Sequence, residues 1–229
     1  ETQEILAAKL TDEQLLHKKI AALEIKLKDW GRIANSLVAL RGPLKKVVFL
    51  YDTSGSMSKG DRFEPSRKLL QQWISNLQME SFAVIDFDNE AVCWMTSFQL
   101  ATDASRAAAN KFLAGTVAGG NTRTDLAIET AFRNFPDVDT IVLLTDGRMT
   151  DEKGLEVSDD RLALLRDQLK AQHAGVVINT IGIGDYYTAS ADNKDGGTNK
   201  SLGHFLQMIA VEHNGVFIGL GERSSGAKQ

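Results

Sequence analysis

The sequence predicts an α/β domain built on a doubly wound, mostly parallel six-stranded sheet with one antiparallel edge strand, preceded by an N-terminal helical extension. Three observations predict it. Residues 47–51 (Val-Val-Phe-Leu-Tyr) and 140–145 (Thr-Ile-Val-Leu-Leu-Thr) are unbroken apolar, β-branched runs of strand length, the pattern of strands buried on both faces. Along the chain such runs alternate with amphipathic stretches, which makes successive strands parallel and covers both faces of the sheet with helices. One pair breaks the alternation: residues 81–87 and 91–95 are strand-like and joined by Asp88-Asn89-Glu90, a tight-turn composition, so they form a hairpin and supply the antiparallel edge.

Taken in order, residues 1–43 read as the helical extension. Thr11 followed by Gln14 has the form of a capping box, and Arg41-Gly42-Pro43 supplies the stop. Between them Leu16, Ile20, Leu23, Leu27, Trp30, Ala34 and Leu37 alternate spacings of four and three, a coiled-coil seam of about three heptads. Such a seam either self-associates or packs on a neighbouring surface, and the sequence supports both equally. Residues 44–222 form the α/β domain. After its first strand, Leu69, Leu70, Trp73, Ile74 and Leu77 fall at helical spacing within 63–77. The hairpin follows, then helices over 103–114 and 123–134 on either side of a Gly-rich loop. Beyond the 140–145 strand come a helix over 159–173 ended by Gly175, a strand over 176–183, a helix over 202–212 and a short last strand over 216–220. Residues 223–229 are expected as a flexible tail.

Composition narrows the function. A net charge of −4 over 229 residues leaves no basic footprint for nucleic acid or an acidic membrane. The single cysteine, Cys93, excludes an intramolecular disulfide framework, and its apolar strand-like setting assigns it to packing. No apolar stretch approaches the ~20 residues of a membrane span, so no insertion is expected within this chain. The chain opens on Glu1 rather than Met, which raises the expectation of a segment removed from the front and leans towards an extracytoplasmic or membrane-anchored location.

The chemistry gathers where the first strand ends. Asp52, Ser54 and Ser56 stand at alternate positions with Gly55 between them to let the backbone bend, so a carboxylate and two hydroxyls can converge on one point. All three offer hard oxygen, which suits Mg²⁺, Mn²⁺ or Ca²⁺. Read alone, the same string is also a strand-to-helix turn capped by its serines. Two downstream segments add context: Gly119-Gly120-Asn121-Thr122-Arg123-Thr124-Asp125-Leu126-Ala127-Ile128, and the strand end Thr145-Asp146-Gly147. Together with Asp-x-Ser-x-Ser, these resemble the metal-ion-dependent adhesion site of von Willebrand factor type A and integrin I domains, over about residues 45–220. The resemblance implies that Asp52, Ser54, Ser56, Thr122 and Asp146 hold a divalent cation, Asp146 through water. Thr122 fits best because Ala127 and Ile128 then fall where the family's helix places small and apolar residues; Thr124 is the alternative. The family's fold also implies that the 47–51 and 140–145 strands are neighbours, at the switch point where doubly wound sheets collect ligands.

A cation held by three hydroxyls and two carboxylates keeps at least one coordination position open. In the family, as the resemblance implies, an Asp or Glu from a protein ligand fills it, so the expected function is non-enzymatic protein binding. The competing class is a Mg²⁺-dependent phosphotransferase or phosphatase with Asp52 as nucleophile. That chemistry wants a second Asp two residues on, where this chain has Ser54. Ser54 and Ser56 lack a Gly-x-Ser-x-Gly elbow, and Gly182-Ile183-Gly184 lacks the third glycine of a dinucleotide fingerprint. His17, His173, His204 and His213 lie on predicted helices with no catalytic motif around them. Tyr186 and Tyr187 with the 189–200 loop, and Arg148, Met149 and residues 151–153, are expected at the metal-bearing edge, where they would shape partner choice.

Overall fold

Strand β1 (Lys46–Asp52) runs through the middle of the sheet with every residue from Val47 to Asp52 buried, as its unbroken apolar sequence requires. The structure is a computed structural model that describes residues 40–147, 149–184 and 198–220. The expected N-terminal helix and its seam, Arg148, most of the 186–200 loop and the C-terminal tail lie outside the described residues.

On one side of β1 lies β2 (Ser81–Phe87), parallel, with Val48 opposite Ala83. A β3 strand (Ala91–Cys93) turns back antiparallel along the end of β2, and the Asp88 carboxylate closes the intervening turn by accepting the Glu90 N–H at 3.1 Å. Six strands are expected from the sequence, and the structure adds a seventh, β4 (Gln99–Leu100), antiparallel to the start of β2. Two residues are too few to show a period, so this strand has no sequence signature. Across β1, β5 (Thr140–Thr145), β6 (Val177–Ile183) and β7 (Phe217–Leu220) continue in parallel, giving the order β3-β2-β1-β5-β6-β7 with β4 beside β2.

Helix α1 (Phe63–Asn76) separates β1 from β2, α2 (Asp103–Ala114) and α3 (Thr124–Asn134) lie between β4 and β5, and α4 (Asp159–His173) and α5 (Thr198–Glu212) precede β6 and β7. One face of β1, Val48 and Leu50, shares a core with Ala127, Ile128 and Ala131 of α3 and with Leu206 and Ile209 of α5. On the other face the Tyr51 ring stacks on Phe63 of α1 with centroids 5.7 Å apart, and its hydroxyl donates to the Phe63 carbonyl at 3.1 Å. Leu70, Trp73 and Ile74 of α1 are fully buried, each such side chain contributing about 2 kcal/mol. Cys93 packs against the core and receives a hydrogen bond from Asn134 at 3.3 Å.

The described domain takes in Arg41, ahead of residue 44. Asn179, fully buried on β6, accepts the N–H of Arg41 at 2.9 Å and of Val216 at 3.2 Å and donates to the Arg41 carbonyl at 2.9 Å. Just past α5, His213 is buried with Nδ1 3.1 Å from the Val176 carbonyl, and its Nε2 has no hydrogen-bond partner among the described residues. Burial holds its pKa below the ordinary histidine value.

A histidine kept neutral when folded but free to protonate when unfolded contributes stability above about pH 6.5 and loses it as pH falls. His213→Gln is therefore expected to gain stability relative to the parent as pH falls from about 7 to about 5, read as the difference between their urea midpoints. A difference that stays constant over that range would remove His213 as a source of pH dependence.

Candidate functional site

Parallel pairing of β1 with β5 brings two carboxylates to one end of the sheet. Tyr51 lies opposite Leu144, so Asp52 ends one strand and Asp146 follows the end of the other on the same edge. Thr53 N–H and hydroxyl both donate to the Phe87 carbonyl, after which the chain enters a 3₁₀ turn, Gly55–Ser58. That turn folds Ser54 and Ser56 back over Asp52. The Ser54 N–H donates to Asp52 Oδ1 at 2.8 Å, the two serine hydroxyls lie 3.0 Å apart, and Ser56 Oγ donates to Asp146 Oδ1 at 2.6 Å.

The Gly-rich loop is stitched to this turn. Gly55 N–H donates to the Gly120 carbonyl at 3.0 Å, and Gly119 N–H to the Thr53 carbonyl at 2.7 Å. Gly120 has φ +73°, and a β-carbon on it would stand 2.8 Å from Asp88 and Asn89 side-chain atoms, so the loop needs glycine for both conformation and space. Gly147 is needed for space. A β-carbon there would stand 2.9 Å from Thr122 Oγ1 and 3.0 Å from Ser56 Oγ, which puts both hydroxyls around a cradle that only glycine leaves open. Thr122 is therefore beside Ser56 and the Asp146–Gly147 turn, while Thr124 opens α3, buried within it. Thr122 is fixed by exchanging hydrogen bonds with Thr150, one through each backbone N–H, both at 2.9 Å.

Two further residues join the cluster unannounced by the sequence. Thr145 donates its hydroxyl to Asp52 Oδ2. Arg62, at the N-cap of α1, donates Nη1 to Asp146 Oδ2 at 2.8 Å. Thr145 is hidden in a strand run where threonine reads as a β-branched filler, and Arg62 sits in a Lys-Gly-Asp-Arg stretch with the look of solvated loop. The expected edge residue Met149 is a correction: it is buried in the core. An apolar side chain two residues beyond Gly147 gains more from the interior than from an exposed rim. Asp151 does shape an exposed turn, its carboxylate accepting the Lys153 and Leu155 N–H groups at 2.9 Å.

Asp52 carries the electrostatic cost of the arrangement. Complete burial, and next the Asp146 charge, push its carboxyl up to about 7, against the pull of hydrogen bonds from Ser54 and Thr145. Among the described residues no three His, Cys, Asp or Glu side chains gather as a metal cluster. The donors here are instead two carboxylates and three hydroxyls, oxygen throughout, a set that can hold a hard divalent cation.

A carboxyl whose pKa rises on folding contributes its stability fully below about pH 4, and that contribution is lost as pH climbs through about 7. In chelator at about pH 8, Asp52→Asn is accordingly expected to be more stable than the parent, by on the order of 3 kcal/mol in urea unfolding. A variant less stable than the parent across the whole pH range would refute this account of the charge.

Residues 46–218 match the family model described as von Willebrand factor type A domain. No curated protein matches the chain by sequence. Among solved structures, a von Willebrand factor type A protein from Catenulispora acidiphila aligns with a TM-score of 0.59 at 20% identity, covering 77% of this chain and 38% of that one. An aerotolerance-related membrane protein from Bacteroides fragilis aligns at 0.54 and 22%, covering 77% and 91%. The vWF domain of a type V pili tip protein from Porphyromonas gingivalis aligns at 0.56 and 12%, covering 81% and 92%. At these identities the likeness is one of fold, and the chain spans well under half of the first of these neighbours. The family match extends from the first residue of β1 into β7, so the chain belongs to the von Willebrand factor type A domain family.

Proposed function

We propose that the domain is a non-enzymatic, metal-dependent protein-binding module. In this reading Asp52, Ser54, Ser56 and Thr122 hold a Mg²⁺ ion, or Mn²⁺ or Ca²⁺, directly or through water, and Asp146 holds it through water. The observation that carries the proposal is the approach of the Thr122 and Ser56 hydroxyls around Gly147, beside the Asp52 carboxylate, whose charge complete burial makes costly. Few direct anionic ligands leave the ion strongly Lewis-acidic with an open position, and an Asp or Glu of a partner protein completes its shell. The N-terminal seam, outside the described residues, would join copies of the chain or link the domain to an anchor.

The phosphotransferase reading receives no comparable support. Its general acid would occupy position 54, where Ser54 instead donates its N–H to Asp52 itself.

Thermal melting against MgCl₂ tests the proposal. A cation bound only by the folded state adds about 2.7 kcal/mol at a hundredfold excess over Kd. Thr122→Ala is expected to abolish the shift and Thr124→Ala to leave it. Because a proton competes with the metal for Asp52, the apparent Kd is expected to tighten about tenfold between about pH 6 and about pH 8. Capture of an immobilised acidic peptide should be lost in chelator. Melting that ignores millimolar Mg²⁺, Mn²⁺ and Ca²⁺ alike would sink the reading.

A further inference from the structure

Arg62 is the cationic side chain that the geometry sets directly on the candidate site, and it is not part of the donor set. It caps the N-terminus of α1, where its carbonyl accepts the Ser66 N–H at 3.2 Å. Its guanidinium donates to Asp146 Oδ2 at 2.8 Å, with the Asp146 side chain fully buried and the Arg62 side chain 23% exposed. The opposite flank of the guanidinium lies along Gly184, just past β6, where a β-carbon would stand 3.5 to 3.7 Å from its atoms. With Ser56 on Oδ1 and Arg62 on Oδ2, both oxygens of Asp146 are engaged.

We propose that Arg62 is a resident counter-cation that shares Asp146 with the metal, stabilising the metal-free site and weakening metal affinity, so that occupancy responds to changes in divalent-ion concentration. This rests on the metal reading of the site given above. The physical argument has two parts. Asp52 and Asp146 are buried carboxylates linked through the Ser54 N–H and the Ser54 and Ser56 hydroxyls, and without a nearby positive charge their repulsion opposes folding. A divalent ion entering among those hydroxyls then meets a guanidinium one carboxylate away, and like charges at that range in a partly buried site repel appreciably. A guanidinium does not release its proton in proteins, so the opposition is permanent unless the side chain swings aside.

A merely structural role for Arg62 predicts that its loss loosens Asp146 and weakens metal binding; the counter-cation role predicts the reverse. Isothermal titration of the full chain with MgCl₂ alone, for the parent, Arg62→Gln and Arg62→Lys, separates them. Arg62→Gln is expected to bind Mg²⁺ about tenfold more tightly and to melt at lower temperature in chelator. Arg62→Lys, which keeps the charge, is expected to stay near the parent in both. Should the glutamine variant not fold, Arg62→Met preserves the packed stem and carries the same expectation for affinity. Unchanged or weaker Mg²⁺ binding in the charge-removing variant overturns this inference alone. Absence of Mg²⁺ binding in the parent and every variant overturns the metal reading and this inference with it.

Discussion

Two carboxylates at the ends of adjacent parallel strands are the constraint on which the rest of the site depends. The pairing of β1 with β5 is fixed by their buried faces, since a one-residue slip would turn Leu50 and Leu143 out of the shared core. That register leaves no choice about where Asp52 and Asp146 arrive. They arrive close enough for the Asp146 charge to raise the pKa of Asp52, which is completely buried. Packing alone would put apolar residues there. Holding a carboxyl at such a point costs stability, a cost that the proposed function would explain.

The surrounding polar groups read as a response to that charge. The 3₁₀ turn after β1 carries Ser54 and Ser56 over it, Thr145 covers the far oxygen of Asp52, and Arg62 covers the far oxygen of Asp146. Hydroxyls suit such a place because each can donate to a carboxylate and still keep lone pairs to offer. The same side chains are thus satisfied among themselves and remain competent to turn towards a cation, as the proposed function requires. Glycine contributes by omission, since any side chain at Gly147 would occupy the place where the Ser56 and Thr122 hydroxyls come near each other.

Much of this was legible before any coordinates, for reasons that differ element by element. The buried strands announce themselves because both faces must be apolar, and helix α4 falls on 159–173 as its pattern predicts. Strand β4 was invisible because its pairing is dictated by β2 rather than by its own residues. Asp52, Ser54 and Ser56 could be grouped from spacing because a turn brings alternate residues together. Choosing Thr122 over Thr124 needed the family's helix pattern, because two residues of one loop look alike until the loop's path past Gly147 is known. Arg62 was beyond reach: it lies 84 residues from Asp146 in a stretch that looks solvated, and only the packing of α1 beside the sheet brings them together. Met149 follows the site in sequence without facing it, because its apolar side chain turns inward.

The paired backbone hydrogen bonds between the serine turn and the glycine-rich loop carry a mechanical consequence. Gly55 with Gly120 and Gly119 with Thr53 form a double clasp, independent of any side chain. The two loops must therefore shift together, and tension applied at either one is divided between the central strand and the helix that Thr124 begins. Anchored in the middle of the sheet rather than at a frayed margin, such a junction transmits force into the most deeply buried part of the molecule.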